Sequence, residues 1–500
     1  MDSTPKDAAA VILLRSNTNL TNPEVFWVKR SEKLTFLGGY HAFPGGQVDH
    51  EDLEQPVLGC SDPQTAAMIN CAARELFEEL GVLLAHGGEL LTKGQRSSVL
   101  DDLNSGRMTW PALLRHYDLH LEAADYTFVG RWLTPPFSPR RFNTWFFLVN
   151  CPPKQQPEPD DAELVSGEWI PARDAYARWE RAEVLAVPPI LHALTTLGGG
   201  VTPDLVDRFL SSPHAHGEPV RRIEFRPGFI CFPVRTPTRP PATHTNCYLI
   251  HTKGELLVID PGSPYEDEQR ALSQCVTELL GEGRNLRGIV LTHLHPDHVG
   301  GVEALRKIVG KSASVLAHPM TANALMGTVH VDAVINDGDT IELKGDPGIN
   351  LRAMHTPGHA RGHLCFHEAR TGAVITGDNI VGLGSVLIDP PEGNMRDYIA
   401  SLERLRSIKG LSVLFGGHGP AMANPYAKID EYIRHRLDRE SKILDAVRSG
   451  ATEPLAIVAQ AYTDVSPKLH SLAERAVLAH LEKLQEGGLI KQVHGNWHAE

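Results

Sequence analysis

The chain has 500 residues, 42% hydrophobic and 22% charged, with a mean hydropathy of -0.20; at roughly 150 residues per domain this is an ordinary globular, multidomain composition, which excludes disorder and a membrane bundle. Lys and Arg number 48 against 61 Asp and Glu, and the net charge of -13 excludes a chain-wide electrostatic grip on nucleic acid but not a local basic groove. Seven cysteines without a CxxC pair do not suggest a disulfide framework and point to a reducing, cytoplasmic compartment.

The opening MDSTPKDAAAVILLR carries a short apolar run between charges, which predicts a first β-strand rather than a signal peptide. No stretch reaches the ~18 apolar residues that span a bilayer, so no membrane association is expected. Strands VFWVKR and WFFLVN, a helix around 64–80 and a closing helix PPILHALTTL predict an α+β domain over 1–198. The glycine run of LGGGVTPD and the polar SSPHAHGEP predict a linker over 199–220. From 221 to 425, short apolar runs that end in Asp or His (ELLVID, GIVLTH, AVITGD, VLFGGH) alternate with helical stretches. Residues 426–500 read as mostly helical, closing with a long helix, a GG turn and a small hairpin. This tail holds 10 Lys/Arg and 11 Asp/Glu, too balanced to grip phosphates on its own.

Within the first domain, Glu75, Glu78 and Glu79 of Arg74-Glu75-Leu76-Phe77-Glu78-Glu79 stand at i, i+3 and i+4 of a helical stretch. Sharing one face, they repel by a few tenths of a kcal/mol per pair when unpaired. A hard cation, Mg²⁺ or Mn²⁺, removes that repulsion and would bind a diphosphate and activate a water. Arg74 can brace the carboxylates from the preceding turn. On this stretch alone, a salt-bridged exposed helix is an equal reading.

FPGGQVD at 43–49 followed by REL-FEELGV resembles the Nudix box, split by residues 50–65, with Ala66 where the usual box has a glutamate eight residues before the arginine. KRSEKLTFLGGYHAFPGG is similar to the upstream pattern of the coenzyme A-type branch, with Leu37 where those proteins often carry His. RRFNTWFFLVN and GEWIPARDAYARW resemble that branch's later strands. The resemblance implies a Nudix fold with Mg²⁺ or Mn²⁺ on Glu75, Glu78 and Glu79, a catalytic role for Glu79, and support from Arg74, Gly45 and Gly46. It also implies cleavage of a nucleoside diphosphate derivative, coenzyme A derivatives first. A non-catalytic nucleotide sensor is the alternative.

Ten of the 25 histidines lie between residues 293 and 418. His293, His295, Asp297 and His298 form an H-x-H-x-D-H cluster directly after the strand GIVLT, where a loop can turn alternate side chains toward one point. Neutral imidazoles and a carboxylate are donors that zinc prefers. Three further strand ends add His359 in HTPGH, Asp378 in TGD and His418 in GGHGP, each beside Gly or Pro, where backbone and metal can approach closely. Taken singly, His318, His330, His363 and His367 read as ordinary core or surface histidines.

THLHPDHVGG, HTPGHARGH, TGDNI and GGHGP, in that order, resemble the metallo-β-lactamase fold hydrolases over about 221–425. That resemblance implies an αββα sandwich with one zinc on His293, His295 and His359, a second on Asp297, His298 and His418, and Asp378 bridging them. A hydroxide between the metals would be the nucleophile, Asp297 and Asp378 would take catalytic roles, and Asp260 in VIDPG would be a structural aspartate. GGHGPAMANPYAKIDEYIRHRLDRESKIL, joined to a helix and small wing, is similar to the β-lactamase-like protein 2 group, whose known member is a zinc endoribonuclease acting on single-stranded RNA. It implies a winged-helix-like tail and RNA phosphodiester cleavage as the leading activity. Arg361, close behind His359, is the nearest cation in sequence to the site and the candidate for touching a phosphate, with a surface salt bridge as an equal reading. Thioester hydrolysis, as in the glyoxalase II branch, is the rival. No feature of the sequence sets an oligomeric state.

Overall fold

The computed structural model describes residues 4–16, 18–34, 37–159, 163–310 and 313–500; residues 35–36 of the KRSEKLTFLGGYHAFPGG stretch lie outside the described residues. The chain divides into two compact units, one ending at Pro227 and the other starting at Gly228.

The first unit holds, in chain order, β1 (Lys6–Leu14), β2 (Glu24–Arg30), β3 (His41–Ala42), β4 (Gly45–Gln47), α1 (Pro63–Leu80), α2 (Lys93–Asn104), α3 (Trp110–His116), β5 (Thr127–Leu133), β6 (Phe142–Asn150), β7 (Leu164–Pro171), α4 (Ala172–Glu180), α5 (Pro188–Gly198), α6 (Leu205–Leu210) and β8 (Ile223–Arg226). Seven of the nine β1 residues are buried, as a continuous apolar run requires of a central strand. It runs parallel to β6 and antiparallel to β2 in the order β3-β2-β1-β6-β5, with β4 added on β1 and β7 on β2. Helix α1 starts where Asp62 accepts the Thr65 N–H at 2.8 Å and stops at Gly81, whose φ of 65° only glycine adopts without strain. Its apolar stripe, including Met68, Ala72, Leu76 and Phe77, packs with Val11 and Leu13 of β1 in one core.

The stretch 199–220, expected to link two domains, is instead built into this unit. Phe209 of α6 is buried and its carbonyl meets His192 Nε2 at 2.8 Å, while the Val201 N–H donates to Leu20 O at 2.7 Å. At six residues, α6 is too short for its periodicity to show against a glycine-rich background.

The second unit continues with β9 (Phe229–Arg235), β10 (His244–His251), β11 (Glu255–Ile259), α7 (Glu266–Gly281), β12 (Asn285–Val290), α8 (Pro296–Val299), α9 (Val302–Val309), β13 (Val315–Ala317), α10 (Pro319–Ala324), β14 (Ala333–Val334), β15 (Thr340–Leu343), β16 (Ile349–His355), β17 (Leu364–Glu368), β18 (Ala373–Gly377), α11 (Met395–Arg406) and β19 (Val413–Gly416). Strands β14-β13-β12-β11-β10-β9 form one sheet and β15-β16-β17-β18-β19 the other. Phe229 and Tyr248 of the first meet Phe415 of the second, with ring centroids 5.5 and 5.7 Å apart. Helices α7 and α9 cover the outer face of one sheet and α11 that of the other, giving an αββα sandwich.

The tail comprises α12 (Pro425–Arg448), α13 (Pro454–Ala461), α14 (His470–Glu486) and the hairpin β20 (Ile490–Val493) with β21 (Asn496–Ala499). No break falls at residue 426, where the sequence suggests one. Ile429 and Tyr432 of α12 belong to the sandwich core, while Ile443, Ala446 and Val447 of the same helix belong to the tail's own core with Val477, Leu481 and Trp497. All seven cysteines are free thiols. Among the described residues no helix is long and apolar enough to cross a membrane.

Candidate functional site

β12 ends on buried backbone, and the chain leaves it through Thr292 and His293 into α8, so the polar groups of this turn must satisfy one another. Asp260, just past β11 with a φ of 54°, organises them. It accepts the Thr292 N–H at 2.8 Å, the Thr292 hydroxyl at 2.6 Å and His298 Nδ1–H at 2.8 Å. With its only proton committed to Asp260, the Thr292 oxygen accepts from His293 Nδ1 at 3.0 Å. His359 Nδ1 donates to Leu387 O at 2.9 Å and His418 Nδ1 to His244 O at 2.8 Å. Each of these bonds selects the tautomer that leaves Nε2 bare.

The bare nitrogens converge. His293 Nε2 and His359 Nε2 each lie 2.9 Å from His295 Nδ1. Burial keeps the three rings neutral: it holds His293 well below its usual range, lowers His295, and brings His359 down to about 3. Lone pairs so placed repel one another unless a cation stands among them. Beside this trio, Asp297 Oδ2 lies 3.5 Å from His418 Nε2 and 3.9 Å from His298 Nε2. Asp378 stands between the two sets: Oδ1 is 3.4 Å from His298 Nε2, and Oδ2 is 3.2 Å from His418 Nε2 and 3.8 Å from His359 Nε2. His298 Nε2 and Asp378 Oδ1 are buried and make no hydrogen bond. Burial opposes charge on this second set, but the pairing overrides it. Asp378, Asp260 and Asp297 hold His298 well above its usual range, Asp378 raises His418, and the two histidines hold Asp378 well below the carboxylate range.

His363, read from sequence as an ordinary histidine, is buried behind Asp378, where its Nε2 accepts the Asp378 N–H at 3.2 Å and its Nδ1 meets the Thr356 hydroxyl at 3.0 Å. Its signal is the third histidine of HTPGHARGH, four residues after His359. Arg361, expected at a phosphate, donates through its guanidinium to Pro391 O at 2.7 and 3.2 Å, and its N–H donates to Glu392 Oε1 at 2.8 Å. It anchors loop 388–392. The tail braces the same region: Arg436 of α12 donates to Val386 O and lies 5.3 Å over Tyr398, whose hydroxyl donates to Asn379 O at 2.7 Å. Arg475 of α14 pairs with Asp389 at 2.5 Å.

In the first unit, buried Arg74 donates to Glu75 at 3.0 Å, to Glu78 at 2.8 Å and to Gln47 O at 3.1 Å. It also grips both oxygens of Asp52, at 3.0 and 2.9 Å. Glu79 accepts the Gly45 N–H at 2.9 Å. The two glycines permit this approach: a Cβ at Gly45 would fall 2.2 Å from Ala9 O, and one at Gly46 2.3 Å from Glu75 Oε1. Burial pushes Glu79 up to about 8, with Glu75 adding to it, and pushes Glu75 up to about 7 against the opposing pull of Arg74; Glu78 is raised by burial. A hard divalent cation is the counter-charge that would let all three ionise.

Asp52 escaped the sequence reading because 50–65 counted as an insertion. It is fully buried on a 3₁₀ turn, His50–Glu54, and supplies the carboxylate that Ala66 lacks. Its signal was the Asp49-x-x-Asp52 capping spacing. Asp52→Asn should leave Arg74 under-compensated in the interior and cost about 3 kcal/mol of stability. Urea unfolding measures it, and a loss below about 0.5 kcal/mol, the size of a neutral surface change, would remove Asp52 from the brace.

Residues 240–418 match the family described as the metallo-beta-lactamase superfamily, and 454–497 match the beta-lactamase associated winged helix domain. A beta-lactamase-like protein 2 homolog of Drosophila melanogaster is 30% identical over 253 residues, covering 49% of this chain and 84% of that protein. The chain belongs to the metallo-β-lactamase superfamily. Its second unit therefore carries the hydrolase fold of that superfamily with a winged-helix tail. An atrochrysone carboxyl ACP thioesterase of Aspergillus fumigatus is also similar, 29% identical over 210 residues and covering 42% of this chain and 45% of that protein. Among solved structures, a NUDIX hydrolase from Alicyclobacillus acidocaldarius is 30% identical, covering 41% of this chain and 97% of its own with a TM-score of 0.37.

Proposed function

We propose that the second unit is a dinuclear zinc hydrolase acting on a carboxylic thioester, and that the first unit cleaves a diphosphate bond of a nucleoside diphosphate or coenzyme A derivative with Mg²⁺ or Mn²⁺. The observation that carries the zinc reading is the convergence of bare imidazole nitrogens on either side of Asp378. His293, His295 and His359 would hold one ion and Asp297, His298 and His418 the other, with Asp378 shared. When bound, two such ions lower the pKa of a water toward neutrality and polarise the oxygen on which charge develops. The chain's own part is preorganisation. Asp260 and Thr292 hold the tautomers of His298 and His293, and Asp378, kept ionised by His298 and His418, supplies the anionic oxygens that would be shared between the two ions.

Electrostatics favours the thioester over RNA. Arg361 is engaged with Pro391, and tail cations are committed internally, Arg439 to Asp464 at 2.9 Å and Lys483 to Glu440 at 2.6 Å. Binding a long polyanion would draw on cations that are engaged within the protein, whereas hydrolysis of a thioester needs no extended cationic surface. One observation favours the RNA reading: the winged-helix match, shared with the resemblance to the β-lactamase-like protein 2 group. The test is a side-by-side assay of the zinc-loaded full chain on acyl-coenzyme A, acyl-glutathione and a labelled single-stranded RNA, with His295→Ala as control. Thioester turnover with intact RNA is expected. RNA cleavage that disappears in His295→Ala, with no thioester turnover, would replace this reading by the nuclease.

In the first unit the reading rests on three raised carboxylates, Glu75 and Glu78 braced by Arg74 and Glu79 held by the Gly45 N–H, against backbone that only glycine could supply. Turnover of a coenzyme A diphosphate or nucleoside diphosphate sugar separates it from a nucleotide sensor, which would bind without cleaving.

A further inference from the structure

We infer that His86, His120, Glu122 and Asp125 form a further metal site, a structural clip for zinc that closes the base of the α2–α3 segment. Between His86 and His120 the chain runs through α2 and α3, whose Val99, Leu103, Trp110 and Leu113 pack in the same core as α1, and the two histidines bring the ends of this segment together. At that point the backbone pairs antiparallel, His86 N–H donating to His120 O at 2.9 Å and His120 N–H to His86 O at 3.3 Å. The pairing stacks the two imidazoles, with centroids 5.2 Å apart and planes 13° from parallel. The Tyr126 hydroxyl, donating to Leu84 O at 2.8 Å, fixes the segments on either side.

Two carboxylates complete the set. Asp125 Oδ2 lies 2.8 Å from His86 Nε2, and Glu122 lies 3.8 Å from His86 Nε2 and 3.3 Å from His120 Nε2. A zinc ion 2.0–2.2 Å from each of four tetrahedral donors separates neighbouring donors by about 3.3–3.6 Å, and the observed spacings straddle that range. One ligand atom each from His86, His120 and Glu122 lie within 4.8 Å of one another, and Asp125, bonded to His86, is the neighbouring carboxylate that can add a fourth donor. Two imidazoles and two carboxylates form the borderline, charge-balancing set that zinc accepts, unlike the all-carboxylate face of α1. The side chains are 39–46% exposed, so an ion reaches them from solvent without unfolding, and replacing them leaves the core intact. An ion that binds only when both ends of the segment are in place stabilises the folded arrangement, as any ligand of the folded state does.

The test is equilibrium dialysis of the full chain against zinc, read by elemental analysis. His86→Ala and His120→Ala should each carry one zinc per chain fewer than the parent, with unchanged circular dichroism, and Glu122→Gln should bind that ion more weakly. Zinc should also slow proteolysis within residues 86–120 in the parent but not in the histidine variants. Equal zinc content in the parent and both histidine variants would overturn the clip. If an alanine variant misfolds, the size-conserving Glu122→Gln/Asp125→Asn protein decides, and parental zinc content in it overturns the clip equally.

Discussion

An Asp378→Ala protein is expected to lose hydrolysis by the second unit roughly ten-thousandfold, about 5.5 kcal/mol of barrier, while keeping its fold. The magnitude follows from where the carboxylate stands. Its two oxygens reach His298 on one side and His418 and His359 on the other, so one substitution removes a carboxylate placed between both sets. It also removes the anion that helps hold His298 and His418 above their usual range, and His418 is then left without its strongest partner. The fold should survive because the histidines keep their outer bonds, His298 to Asp260, His359 to Leu387 and His418 to His244. Turnover and zinc content of the variant are measured together. Parental zinc content with full activity would show that Asp378 bridges nothing.

The residues of this candidate site are legible in the sequence for a physical reason. A buried strand has no use for a polar residue until it leaves the sheet, so Asp or His at the end of an apolar run marks a site, and four such runs gave Asp260, His293, Asp378 and His418. What stayed hidden was held by atoms with no sequence signature. The Leu387 and His244 carbonyls choose two tautomers, yet any residue type offers a carbonyl. Nearness in sequence also misled: Arg361, two residues from His359, turns to Pro391, while Arg436 of the distant tail braces the loop beside Leu387. In the first unit the split box hid Asp52 for the converse reason, since the partner of Arg74 lies outside the helix whose periodicity announced the glutamates. The glycine run at 198–200 looked like a boundary because a tight turn inside a unit and a hinge between units use the same residue.

Glu79→Gln should move activity and stability in opposite directions. The Glu79 carboxyl of the folded, metal-free chain titrates at about 8, against an ordinary 4.5, chiefly because burial disfavours its charge. Between those values the folded state holds more protons than the unfolded one. The stability contributed by the neutral carboxyl is therefore fully present below pH 4.5 and is lost as pH rises through about 8, a change on the order of 4 kcal/mol. A glutamine cannot ionise, and its amide oxygen can still accept the Gly45 N–H that Glu79 accepts at 2.9 Å. In chelator, urea unfolding of the parent should weaken between pH 5 and 8, whereas the variant should stay nearly flat and be the more stable protein at pH 8. Added Mg²⁺ should restore the parent at pH 8 by supplying the counter-charge and do little for the variant. Diphosphate hydrolysis should meanwhile fall roughly a thousandfold in the variant, because the lost carboxylate is one the reaction needs ionised. A merely structural glutamate would lose stability and spare turnover. A variant that is no more stable at pH 8 and turns over every diphosphate at the parental rate would take Glu79 out of the metal site.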